Sequence, residues 1–175
     1  SDKTGTLTQN RQVVQELRLG TGAVAVSGHG YEPEGSLTVR PLPAPDGARP
    51  GCPEEARTLL LQAAVLCSDA EHKQAADGTW EILGDPTEGA LSVVALKAGI
   101  DDFELRSRFR RAAEIPFSSE RQLMAVWIDD PNAELQAPLG NGADGSRRLL
   151  ISKGAPEVII GLCDRWIDGG GLTPL

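Results

Sequence analysis

Histidine, cysteine and aromatic residues are scarce in this chain of 175 residues. Aromatics make up 4%, so the core must be aliphatic. There are two histidines and three cysteines, Cys52, Cys67 and Cys163, far apart and without a CxxC pair. A zinc site is therefore not expected, and a reducing compartment fits best. No N-terminal signal pattern occurs, and no apolar run is long enough to span a bilayer. If the piece comes from a membrane protein, the expectation is a soluble part of it. Cations are outnumbered, 17 against 25 anions, for a net charge of -8. That balance argues against non-specific nucleic-acid binding, which needs cations on phosphates. It does not exclude one nucleotide in one pocket. No GxxxxGK[ST] occurs, and "GHGYEPEG" fails the GxGxxG spacing, so neither nucleotide-loop fingerprint is present.

Apolar residues at 40% are enough for a real core, and the length suits one domain. The pattern predicts strands over 12–20 ("QVVQELRLG"), 23–28 ("AVAVSG") and 36–40 ("SLTVR"). The Pro/Gly-rich residues 41–53 predict a loop. "EEARTLLLQAAVLCSDA" (54–70) is apolar nearly all round and predicts a buried helix. "TWEIL" (79–83) reads as a strand. "DPTEGALSVVALKAG" (85–99) reads as a helix ended by Gly99. "DDFELRSRFRRAAE" (101–114) reads as a second, more polar helix. "QLMAVWI" (122–128) and "RRLLIS" (147–152) are apolar strands flanking a long polar loop. "APEVIIGLC" predicts a helix with Pro156 in its first turn, and "DRWID" a last strand. Hairpin-like pairs mixed irregularly with helices favour an α+β fold, an antiparallel β-sheet flanked by helices.

The N-terminal "DKTGTLT" offers chemistry. A carboxylate such as Asp2 can attack a phosphoryl group and hold it as an acyl phosphate. Lys3, Thr4 and Gly5 offer charge, donors and close backbone approach. A magnesium ion is expected to bridge carboxylate and phosphate, with Asp2 and Thr4 as its candidate ligands. Aspartyl phosphatases carry a second aspartate two residues on, as acid and base. Thr4 occupies that place and cannot do this work at neutral pH. The acyl phosphate would then persist, as a pump requires.

All seven positions of "DKTGTLT" match one family, and the chain resembles the P-type ATPases on four motifs in order. The others are "GDPTEGAL" (84–91), "IPFSSERQLMAV" (115–126) and "KGAPE" (153–157). They are similar to the nucleotide-binding domain of the type II subgroup, which includes calcium pumps. "GYEPEG" also resembles a segment of bacterial and calcium-type members. The resemblance implies an ATP-binding domain that delivers the γ-phosphate to Asp2 and so drives cation transport. It implies ATP and Mg²⁺ as ligands. It also implies the phosphorylation, actuator and transmembrane domains of the same pump as partners. Residues 1–10 would be the phosphorylation-motif segment and hinge, and 11–175 a nucleotide-binding domain incomplete at its C-terminal end. Such a piece is expected to bind ATP in the high micromolar to millimolar range, without turnover.

Within that domain, residue types leave two readings open. Asp85, Pro86 and Glu88 fit a capping box at a helix start. The resemblance makes Glu88 a hydrogen-bond partner of the adenine amino group. Phe117 reads as core on residue type alone, whereas the resemblance places its ring against adenine, a stack worth roughly 1–3 kcal/mol. Lys153 reads as a solvated strand end. The resemblance places it at the inner pocket wall, with Gly154 letting the flat ring approach the backbone. Gln122 stands where many relatives carry a lysine, with Ser119 and Arg121 as candidates to compensate. A soluble aspartyl-phosphate phosphatase and a non-catalytic nucleotide-sensing module remain as alternatives.

Overall fold

The computed structural model describes residues 11–19, 22–41, 54–135, 148–168 and 171–175. Asp2, Lys3, Thr4, Cys52 and most of the expected loops at 41–53 and 129–146 lie outside them. Ten strands and four helices are described, all strand pairs antiparallel, so the class is α+β as the pattern predicts. The strands form four separate ladders of consecutive elements. The first holds β1 (Glu16–Leu19), β2 (Gly22–Val26) and β3 (Leu37–Pro41). The second pairs β4 (Glu71–Gln74) with β5 (Trp80–Leu83). The third is β6 (Arg111–Ser118), β7 (Leu123–Asp129) and β8 (Arg148–Gly154), with β7 central. The last pairs β9 (Arg165–Asp168) with β10 (Gly171–Pro174).

Helix α1 (Glu54–Leu66) exposes only Glu54, Glu55 and Leu60, and packs against α2 (Pro86–Lys97). Its apolar character is matched by burial of Ala56, Leu59, Leu61, Val65 and Leu66, with most of the rest half-buried. Leu61, Val65, Val94, Val126 and Ile128 form the centre of an aliphatic core. α2 lies on β5 at Gly89, where a Cβ would sit 2.3 Å from Ile82 Cγ2. The helix ends as predicted: Gly99, at φ +80°, donates to the Leu96 carbonyl, the left-handed exit glycine supplies.

The polar helix predicted over 101–114 is half helix. α3 spans Asp102–Arg108, capped by Asp101, whose side chain accepts from Glu104 N at 2.8 Å. Phe109 then turns extended and is buried. "RRAAE" has helical propensity, yet it pairs with β7 as β6. Burying Phe109 and completing the β7 ladder outweigh a preference of a few tenths of a kcal/mol per residue. Two further strands, β4 and β10, are not visible in the pattern. β4 is "EHKQ", without an apolar residue; His72 stacks on Trp80 at 4.4 Å and its Nε2–H donates to the Tyr31 carbonyl at 2.6 Å. The fourth helix, α4 (Pro156–Leu162), starts at Pro156 as predicted and follows directly on β8.

Candidate nucleotide site

A cleft of about 620 Å³ opens between the start of α2 and the ends of β6 and β8. Asp85, Thr87, Glu88, Leu91, Phe117, Met124, Lys153 and Gly154 line it. Its volume lies in the range of small-ligand sites.

Each wall follows from local sequence. Asp85 caps α2, accepting from Thr87 N at 2.8 Å and Glu88 N at 3.2 Å, with Pro86 at the first helical position. Only half of the expected capping box forms. The Glu88 carboxylate turns away from the cap. One oxygen accepts from the backbone amides of Asp69 (2.7 Å) and Ala70 (3.3 Å), and the other pairs with Lys153 Nζ. Two backbone amides and an ammonium outcompete one cap amide for the same charge. Thr87, Glu88 and Leu91 share a helix face by their spacing.

Phe117 stands 61% exposed, which rules out the core reading. β6 is an edge strand, and its register with β7 shifts between Ile115 and Ser118. Pro116, which has no N–H to donate, sits inside that irregularity, where proline is tolerated. The interruption leaves Phe117 at the cleft rather than in the ladder.

Gly154 is also constrained from within the fold. A Cβ there would meet Gln122 O at 2.3 Å and Leu123 Cα at 2.8 Å. The glycine is thus demanded first by the β6–β7 turn, and only secondarily leaves room for a ligand. Gln122 itself is left-handed at φ +54°, donates to Ser118 O at 2.7 Å and accepts from Ala155 N at 2.9 Å. Gln122 and Ser119 are exposed in this turn and are not among the lining residues; the Arg121 guanidinium donates to the Pro116 carbonyl at 2.8 Å.

The charge balance is acidic. Burial acts to raise the Asp85 carboxyl, but amide donors from Glu88 and Thr87 and the Lys153 charge outweigh it and hold it below the usual range. Lys153 therefore faces two carboxylates. Behind it, burial pushes the Cys67 thiol up against the opposing charges of Lys153 and Arg111. Cys67 and Cys163 are free thiols. Among the described residues, no cluster of three or more His, Cys, Asp or Glu is placed to hold a metal, and no helix is long and apolar enough to cross a membrane.

The structure brings together Glu88, Phe117, Lys153 and Gly154 and leaves Ser119 and Gln122 outside. Sequence reasoning missed Thr87, Leu91 and Met124 as lining residues, and had Asp85 only as a helix cap. The helical spacing of Thr87, Glu88 and Leu91 was the available signal for two of them.

Residues 57–175, about two thirds of the chain, match the family described as P-type ATPase, cytoplasmic domain N. The chain belongs to this family. It is 37% identical over its whole length to the probable cation-transporting ATPase F of Mycobacterium tuberculosis, covering 17% of that protein. It is 34% identical to a calcium-transporting ATPase of Bacillus subtilis, over 97% of this chain and 17% of the relative. It is 34% identical to the human calcium-transporting ATPase type 2C member 2, over all of this chain and 16% of the relative. The chain thus spans about a sixth of the length of these relatives.

Proposed function

We propose that this cleft binds the adenine end of ATP, for a cation-transporting P-type ATPase of which this chain is the nucleotide-binding part. The carrying observation is a largely exposed phenylalanine in a cleft that also holds the Glu88–Lys153 pair. An exposed benzyl ring lining a cleft is suited to stacking a base. Leu91 and Met124 supply the apolar floor. Lys153 and the carboxylates beside it supply polar atoms for the base edge. With Asp85 and Glu88 both close to Lys153, the phosphates are better placed outward, away from the two carboxylates.

As the resemblance implies, Asp2 then takes the γ-phosphoryl group, with ADP as the leaving group. Residues 1–10 serve as phosphorylation segment and hinge, and 11–175 as the nucleotide-binding domain. Asp2 and Thr4 would hold magnesium, which would supply charge neutralisation for the phosphoryl group. Lys3 adds a further cation there. Phosphorylation drives cation movement through the membrane part of the same protein, and calcium is the first candidate from the relatives' names. The domain works on the cytoplasmic side, with the actuator and phosphorylation domains as its partners.

Amide chemical shifts recorded while ATP is titrated test this reading. Glu88, Phe117 and Lys153 should move together on one saturable curve. Silence of all three at millimolar ATP contradicts it.

A further inference from the structure

The segment linking α1 to β4 carries a dense set of charge-assisted bonds. The Ser68 carbonyl accepts from Arg106 Nη1 at 2.7 Å and Arg111 Nη2 at 3.0 Å. The Asp69 N–H donates to Glu88 at 2.7 Å. These two groups belong to one peptide unit. Two guanidinium groups thus hold its oxygen while one carboxylate holds its nitrogen. The same guanidinium groups reach the neighbouring carbonyls: Arg111 Nη2 to Leu66 at 2.9 Å, and Arg106 Nη2 to Ala70 at 3.3 Å. Arg111 Nη1 is itself fixed by Asp69 Oδ1 at 2.5 Å and Glu114 Oε2 at 2.9 Å. The Arg111 side chain is only 24% exposed.

Cations on a carbonyl polarise its peptide group and make the N–H a stronger donor. Arg111 also satisfies the carbonyl of Leu66, the last residue of α1. Glu88 receives the strengthened donor and passes the constraint to Lys153 through their ion pair.

We propose that Arg111, assisted by Arg106, is a positioning residue for the cleft, orienting Glu88 and through it Lys153 by fixing the Ser68–Asp69 peptide group. Its effect on binding rests on the nucleotide reading; its effect on the peptide group does not. Neither arginine lines the cleft, so the action is indirect.

The test uses the 175-residue chain with Arg111→Met and Arg106→Met, followed by amide NMR with and without ATP. Without nucleotide, the Asp69 and Ala70 amide protons should shift upfield and exchange faster in either variant. ATP binding should weaken roughly three- to tenfold. In a Glu88→Gln background, adding Arg111→Met should weaken binding less than about twofold, because the route through Glu88 is already broken. Unmoved Asp69 and Ala70 amides overturn the proposal, as does an Arg111→Met loss of equal size in both backgrounds. Should Arg111→Met not fold, Arg106→Met, which leaves the Arg111 bonds in place, carries the same readouts. A wild-type chain that ignores ATP refutes the nucleotide reading, and the ligand-free amide shifts then decide the positioning claim alone.

Discussion

The carbonyl oxygen of Gln122 lies 2.3 Å from where a Cβ on Gly154 would stand. That closeness ties the end of β8 to the β6–β7 turn, and thereby ties Lys153 to the strand that carries Phe117. The two walls of the cleft are one packed unit.

Gly154→Ala should therefore act on both stability and site. The new methyl has backbone on two sides, so neither neighbour yields cheaply. Overpacking of this kind costs about 1–3 kcal/mol. Chemical denaturation should show that loss, and the Ala155 amide, which donates to Gln122 O at 2.9 Å, should shift. Wild-type stability in the variant would mean the turn is slack.

Glu88→Ala removes the acceptor for two backbone amides and the partner of Lys153. The Glu88 side chain is only 17% exposed, so solvent replaces those bonds poorly. A loss of roughly 1–3 kcal/mol is expected. Lys153→Met should be milder, because the Asp69 and Ala70 amides keep their acceptor. Urea midpoints for the two variants test the order, and the reverse order would contradict this geometry.

Asp129 accepts from Arg110 Nη2 at 2.7 Å and Arg148 Nε at 2.8 Å. These bonds hold its carboxyl below the usual range. The unfolded chain takes up the proton at an ordinary carboxylate pKa, the folded chain only at lower pH. Between those two values the unfolded state binds more protons, so stability falls as pH falls. The contribution is complete above about pH 5 and is lost through the folded-state pKa. The stability gap between wild type and Asp129→Asn should thus narrow on acidification. Thermal midpoints taken from neutral to acid pH measure it; a gap that stays constant contradicts the assignment. Both arginines are largely exposed, so the effect is small.

Much of this arrangement was legible in the residues, for stated physical reasons. The start of α2 was readable because Asp85 and Pro86 act locally, and its end because Gly99 supplies a left-handed exit. Glu88, Phe117, Lys153 and Gly154 were reached through motifs rather than periodicity. What stayed hidden depends on partners distant in the chain. The first half of β6, residues 111–114, looked helical because its strand state is decided by pairing with β7. β4 has no apolar pattern, and His72 is held by Trp80 and Tyr31. The turn of Glu88 away from its cap needs Asp69, Ala70 and Lys153, none within fifteen residues of it. The demand for glycine at 154 comes from Gln122, which motif comparison treats as a missing lysine.

The dissociation constant of ATP for wild type and Phe117→Ala tests the central claim most directly. Phe117 is mostly exposed, so the fold and its melting midpoint should hold. Loss of one base stack, roughly 1–3 kcal/mol, should weaken binding by about 5- to 150-fold. An unchanged dissociation constant would contradict the account.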